Sequence, residues 1–201
     1  MIACVLLSAG ESQRFGSPKA LAKTSRKTAI EDLQDTLIAS IADDIIVVLG
    51  AHAEAIEPHV FNHKKVRIVH NKDYKLGQTS SFQAGLRAVG DNARAVLLAP
   101  VDCPFIRAST VDALIRCFEK TAPSILVPVY NSRRGHPPVF SAALKKEVLA
   151  LPPSSGSNTL FQNHALQTLD IDDPGIVQTF NTPEELEKIK KQRGHPRVSP
   201  F

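Results

Sequence analysis

The chain contains no tryptophan, a single methionine and two tyrosines, and aromatic residues fill only 5% of its 201 positions. Proteins that hold single-stranded nucleic acid stack bases on aromatic faces, so a nucleic-acid surface is not expected. No apolar run approaches the roughly 18 to 20 residues that span a bilayer. The first residues, Met-Ile-Ala-Cys-Val-Leu-Leu, lack the basic start of a secretory signal and look like a first strand, so no membrane partner is expected. Cysteine is scarce as well. Cys4, Cys103 and Cys117 are odd in number and have no metal-ligand spacing, which suits a reducing cytoplasm.

What remains is an ordinary globular composition, 43% hydrophobic and 22% charged. The length suits one domain with a real core, expected over residues 1–193, with 194–201 as a loose tail that has lost all periodicity. The net charge is +4, but much of the excess sits in Lys188, Lys190, Lys191, Arg193 and Arg197, and hardly argues for a nucleic-acid face.

Short apolar runs alternate with helical patterns. Ile2–Leu7, Ile45–Leu49, Val66–Val69, Ala95–Ala99 and Ile125–Val129 read as strands, the first as one buried on both faces. Between them, Thr28–Ser40, His52–Pro58, Ser80–Ala88 and Ser109–Lys120 read as helices. Beyond residue 130 the pattern loosens. Pro138–Phe140 and Thr168–Ile171 look like short strands, and Ala142–Leu149, Gly156–Asn163 and Pro183–Lys191 like helices. The alternation predicts an α/β fold of three layers: a Rossmann-like, mostly parallel sheet with helices on both faces and right-handed crossovers.

In an open α/β sheet, ligands bind beyond the carboxyl ends of the strands. Leu7-Ser8-Ala9-Gly10-Glu11-Ser12-Gln13-Arg14-Phe15-Gly16-Ser17-Pro18-Lys19 occupies that place after the first strand. Gly10 and Gly16 permit a tight turn, and successive exposed N–H groups make an anion-binding concavity. Arg14 and Lys19 add charge that can hold a triphosphate, one as a fork and one as a point charge. Neither G-x-G-x-x-G nor G-x-x-x-x-G-K-[ST] fits the spacing. The rival reading is a surface loop with two solvated cations.

After the fourth strand, Pro100-Val101-Asp102-Cys103-Pro104-Phe105 puts a lone carboxylate on the same expected sheet edge. Mg²⁺ takes one or two protein carboxylates and completes its shell with water and phosphate oxygens, so Asp102 is a candidate ligand. A cap for the helix near Ser109 is the structural alternative. Gly77-Gln78-Thr79-Ser80-Ser81 opens a helix with hydroxyls that suit either anion binding or capping. Arg133-Arg134-Gly135-His136-Pro137-Pro138 is a basic loop, or a solvated pair and a turn. Asn181-Thr182-Pro183-Glu184-Glu185 makes a regular helix start.

These segments, in this order, resemble the molybdenum cofactor nucleotidyltransferase-like (MobA/MocA-like) family over nearly the whole chain. The first loop is similar to that family's L-A-A-G-x-S-x-R-M-G-x-x-K signature, with Ser8 in place of Ala and Phe15 in place of Met. The resemblance implies that Arg14 and Lys19 hold phosphates and that Ser8, Ala9, Gly10, Glu11 and Ser12 line the nucleotide. V-D-C-P-F is similar to the family's G-D-M-P-F and strengthens the Mg²⁺ role of Asp102. Ser80 and Ser81 fall on an element that helps bind the base, and Arg134, Gly135 and His136 on one at the acceptor side. Asn181 stands where many relatives carry a metal-binding Asp, which weakens a second metal ligand here. With Leu7-Ser8-Ala9-Gly10 nearer to L-A-A-G than to L-A-G-G, the resemblance implies CTP rather than GTP and a phosphorylated acceptor such as molybdopterin. A molybdoenzyme or its maturation factor is the implied protein partner. A sugar-phosphate acceptor, or a nucleotide-binding regulator without catalysis, are the alternatives.

Overall fold

The computed structural model describes residues 1–156 and 159–194, so the expected tail beyond Gly194 and its Gly-His-Pro tripeptide lie outside the described residues. The sheet is built from β1 (Ile2–Ser8), β2 (Asp44–Leu49), β3 (Val66–His70), β4 (Ala95–Pro100) and β5 (Ile125–Tyr130), joined by β6 (Arg133–Arg134), β7 (Val139–Ser141) and β8 (Leu166–Asp170). The helices are α1 (Ala29–Ala39), α2 (Ala53–Ile56), α3 (Gln78–Ala88), α4 (Ala108–Thr121), α5 (Lys145–Ala150), α6 (Leu160–Asn163) and α7 (Pro183–Gly194).

Strand order is β3-β2-β1-β4-β7-β5-β8, with β6 on the β7 side of β5. The pairs β1–β2, β1–β4, β2–β3 and β5–β8 are parallel. The short β7 runs antiparallel between β4 and β5, and makes the sheet mixed. Side chains alternate across β1 as the pleat requires. Ile2, Cys4 and Leu6 join one buried cluster with α1, α4 and α7, while Ala3, Val5 and Leu7 join another with α3, α5 and α6. Two clusters on opposite faces of one sheet are the expected three layers. Gly85 on α3 makes the second face close-fitting, because a Cβ there would stand 2.5 Å from Val5 Cγ1 and 3.0 Å from Val48 Cγ2.

The looser second half departs from the sequence reading in detail. The stretch 142–149 is a short 3-10 turn, Ala142–Leu144, followed by α5. The expected helix over 156–163 is only the single turn of α6, with two residues before Thr159 outside the description. Arg133 and Arg134 pair with Tyr130 and Val129 as β6, not as a free loop. The N-terminus of α4 is capped from far away: Arg107 N and Thr110 Oγ1 donate to Asp173 Oδ2 at 2.9 and 2.6 Å. Asp102 is therefore not the cap of that helix.

Candidate active site

Strand order runs outward from β1 through β2 on one side and turns to β4 on the other, so the sheet reverses between β1 and β4. Crevices at the carboxyl end of such a reversal are where open α/β sheets bind ligands. Leu7 lies opposite Pro100 in the ladder, so the loop after β1 and the turn after β4 open over one edge. A cleft of about 430 Å³ lies there, floored by Ser8, Ala9 and Gly10 and walled by Glu11, Ser12, Lys19, Asp102 and Ser81.

The loop holds itself open. Ser12 adopts a left-handed φ of 55°, and its carbonyl accepts from Phe15 N at 2.9 Å and Gly16 N at 3.1 Å. Its hydroxyl accepts from Lys19 N at 3.1 Å. Gly16, with φ 78°, needs to be glycine for the turn. Gly10 does not turn through positive φ; a Cβ there would meet nothing within 4 Å and would project into open space. Phe15 packs on Phe180 with ring centroids 5.6 Å apart, which ties the loop to the segment before α7.

Four polar side chains converge at the wall. Lys19 Nζ donates to Asp102 Oδ2 at 2.8 Å and to Asn181 Oδ1 at 3.2 Å, while Arg14 Nη2 donates to the same Asn181 oxygen at 3.0 Å. Phe180 N donates to the Asp102 carbonyl at 3.2 Å and places Asn181 beside it. The Lys19 and Asp102 side chains are 18% and 22% exposed, buried enough to strengthen their pairing and open enough to meet a ligand. Among the described residues no group of three or more His, Cys, Asp and Glu side chains is placed to hold a metal.

Ser81 lines the cleft, whereas Ser80 donates its hydroxyl to the Asp73 and Gly77 carbonyls at 2.9 and 2.8 Å and accepts from Asn71 Nδ2. Ser80 thus spends its side chain on the β3–α3 connection. Ser8 is 4% exposed and lines the cleft, and its hydroxyl has no hydrogen-bond partner among the described residues. Gln78, the first residue of α3 in the Gly77–Ser81 segment, lines the cleft, as do Tyr74 and Lys75, which nothing in the sequence pattern singled out. Those two lie in the connection after β3, and the strand-end rule applied to that strand would have found them.

A second cleft of about 670 Å³ opens on the other side of the same wall, lined by Arg134, Gly135, His136, Gln162, Thr179 and Asn181. Gln78, Pro100 and Asp102 line both. Gly135 approaches the chain before α7 so closely that a Cβ would stand 2.5 Å from the Ile176 carbonyl oxygen, and His136 N donates to that oxygen at 2.8 Å. Burial pushes the His136 imidazole below its usual pKa, against the opposing pull of the Asp102 carboxylate. Its Nδ1 is buried with no partner among the described residues.

A strand-end loop whose two cations converge with a carboxylate and an amide at the wall of a cleft suits phosphates far better than an apolar ligand, and the class it points to is the nucleotidyltransferases. The chain belongs to one family of them: the MobA-like NTP transferase domain matches residues 4–168. It is 22% identical over 192 residues to the molybdenum cofactor cytidylyltransferase of Escherichia coli strain K12, covering 95% of this chain and 96% of that one. It is 30% identical over 194 residues to a protein named nicotine blue oxidoreductase from Paenarthrobacter nicotinovorans, covering 92% and 94%. Among solved structures, a homologue from Mycobacterium sp. strain JC1 of the Mycobacterium tuberculosis protein Rv0371c superposes with a TM-score of 0.85. The two are 26% identical, with 95% of this chain and 96% of that chain covered.

Proposed function

We propose that the protein transfers CMP from CTP to a phosphorylated acceptor of the molybdopterin type and releases pyrophosphate. The observation that carries this reading is that two polar clefts meet at Asp102, one beneath the cationic loop and one beside Arg134 and His136. Ser8, Ala9, Gly10, Glu11, Ser12 and Ser81 line the nucleotide, with Ser80 bracing the last of these. Arg14 and Lys19 hold its phosphates. Arg134, Gly135 and His136 receive the acceptor.

An acceptor phosphate oxygen attacks the α-phosphorus, and the bond from that phosphorus to the bridging oxygen of the β-phosphate breaks. The attacking group is already anionic, so no proton needs to be removed. Catalysis then rests on alignment and on charge neutralisation by fixed groups. Asp102 and Asn181 offer an oxygen-only donor pair, which fits Mg²⁺, an ion content with one or two protein oxygens when phosphate and water supply the rest. When bound there, Mg²⁺ supplies neutralisation of the departing pyrophosphate. Asn181 is the weaker ligand of the two, because an amide oxygen carries no full charge.

The name of the cytidylyltransferase relative supports a molybdenum cofactor as the acceptor class, and a molybdoenzyme or its maturation factor is the recipient of the product in this proposal. No described helix is long and apolar enough to cross a membrane; the cytoplasm is the compartment of this proposal. The test is a pyrophosphate-release assay across four nucleoside triphosphates, with molybdopterin and sugar 1-phosphates as acceptors and Mg²⁺ present or absent. Release with CTP and molybdopterin alone is expected. Release only with a sugar phosphate would replace the acceptor, and nucleotide binding without release would favour a regulator.

The relative with an oxidoreductase name gives a second reading: a dinucleotide electron carrier laid across both clefts, its pyrophosphate against Lys19 and Arg14. That reading predicts hydride transfer from a reduced nicotinamide cofactor to a reducible organic substrate, with no pyrophosphate released.

A further inference from the structure

Lys19 and Arg14 are proposed above to hold phosphates, and in this structure both donate to side-chain oxygens of the protein. The Lys19 ammonium lies between the Asp102 carboxylate and the Asn181 amide oxygen, at 2.8 and 3.2 Å. Asn181 Oδ1 also accepts from Arg14 at 3.0 Å, so both lone pairs of that oxygen are taken. These are the two oxygens offered to a divalent cation. Mg²⁺ sits about 2.0 to 2.1 Å from its oxygen ligands, so an ion held by this pair would occupy the ground the ammonium now fills. Two cations cannot share one carboxylate and one amide oxygen at such range without strong repulsion.

A triphosphate changes the balance. It offers Lys19 and Arg14 several anionic oxygens, to which both make charge-assisted hydrogen bonds, with the guanidinium as a fork. Once they turn to it, Asp102 and Asn181 are freed together, beside phosphate oxygens that complete a metal's shell.

We propose that Lys19 is a latch on the metal site: it keeps divalent cations off Asp102 in the free protein and admits them only with the nucleotide. This rests on the metal and nucleotide roles proposed above and adds an order of binding to them. It also gives two positive groups a second duty, since they suppress metal binding before substrate arrives and hold phosphate afterwards. Linkage is reciprocal, so a divalent ion raises nucleotide affinity by the factor by which nucleotide raises metal affinity.

The latch makes a prediction opposite in sign to ordinary loss of function: removing a cation from the site should improve metal binding. Mn²⁺ binding is followed by loss of the free-ion paramagnetic resonance signal in nucleotide-free protein. The samples are the wild type, Lys19→Met, Lys19→Gln and the double variant Lys19→Met with Asp102→Asn. Lys19→Met is expected to bind Mn²⁺ roughly 10-fold or more tightly than the wild type, and the double variant to lose the gain. Lys19→Gln keeps a polar group in place and is expected to follow Lys19→Met, so a folding defect in one leaves the other to decide. Arg14→Gln frees only one lone pair of the Asn181 oxygen, on which Lys19 still donates, and is expected to give a smaller gain. Equal Mn²⁺ affinity in the wild type and both Lys19 variants, with the double variant weaker than all three, would overturn the latch and leave the metal site standing. Equal affinity in Lys19→Met and the double variant would overturn the metal role of Asp102, and the latch with it.

Discussion

The two clefts are built differently, although they share a wall. The first hangs from the ends of β1 and β4, which are adjacent, parallel and buried, and its loop is shaped by contacts within a dozen residues, such as Ser12 with Phe15, Gly16 and Lys19. The second is assembled from distant pieces: Gly135 pressed on Ile176, Thr179 and Asn181 ahead of α7, and Gln162 on α6. The difference teaches that a loop backbone can be shaped by one strand–loop unit even where its side chains Phe15, Arg14 and Lys19 reach the distant Phe180 and Asn181, whereas the opposite side depends on long-range packing throughout. A substitution in the second cleft away from Asn181 and the shared wall, at Arg134 for example, should therefore alter the proposed acceptor handling and leave nucleotide binding alone.

The largest expected effect falls on the shared wall. Asp102→Asn should shift its melting temperature little, because the carboxylate caps no helix and an amide oxygen in its place can still accept from Lys19. It should lose about 2–3 kcal/mol of transition-state stabilisation, a fall of roughly 30- to 150-fold in single-turnover rate. Full turnover in a stable variant would show that the wall is not a metal site. Arg134→Ala tests the separation of the clefts. It is expected to raise the acceptor KM about 10-fold, as loss of one hydrogen bond to a charged group does, while calorimetry finds the CTP Kd unchanged. A weakened CTP Kd in this variant would merge the two clefts into one functional unit.

The smallest effect should appear in neither cleft. Thr28 N and Oγ1 donate to Glu31 Oε2 at 2.7 and 2.8 Å, and His59 Nδ1 lies 3.1 Å from Oε1. The Thr28 backbone bond, with His59 behind it, holds the Glu31 carboxyl down to about 2 from an ordinary value of 4.5. A depressed carboxylate pKa stabilises the fold fully above the unfolded value, and this contribution is lost as pH falls from about 4.5 toward 2. Glu31→Gln should cost about 1 kcal/mol at neutral pH, read as a lower urea midpoint, and should flatten the acid limb of the stability curve. Turnover per folded molecule should not change.

The same contrast explains how much the sequence revealed. Strands such as Ile2–Leu7 and Ala95–Ala99 were legible because burial on both faces demands unbroken apolar runs, and observed β1 and β4 exceed them by one residue each. The placement of Gly10 and Asp102 on one edge followed from that alone. Arg133 and Arg134 were read as loop because nothing local in two charged residues announces a strand; β5 supplies the pairing. Asp173 reaches back 66 residues to Arg107, and no pattern near Ser109 hints at it. The Arg14–Asn181 bond closes 167 residues of chain and became visible only with α7 in place.

Gly85 has a consequence of another kind. It lies one turn beyond Ser81, on the helix whose first residues wall the nucleotide cleft, and its bare backbone rests on Val5 and Val48. The distance between helix and strand is thus a sum of two side-chain sizes, one of them zero. A methyl at position 85 would lift the helix unless positions 5 and 48 gave up volume, so the width the proposed site offers a nucleobase would depend on residues that never touch it. Relatives that accommodate larger or smaller bases on this frame are expected to trade bulk between these positions and to leave the loop that holds the phosphates unaltered.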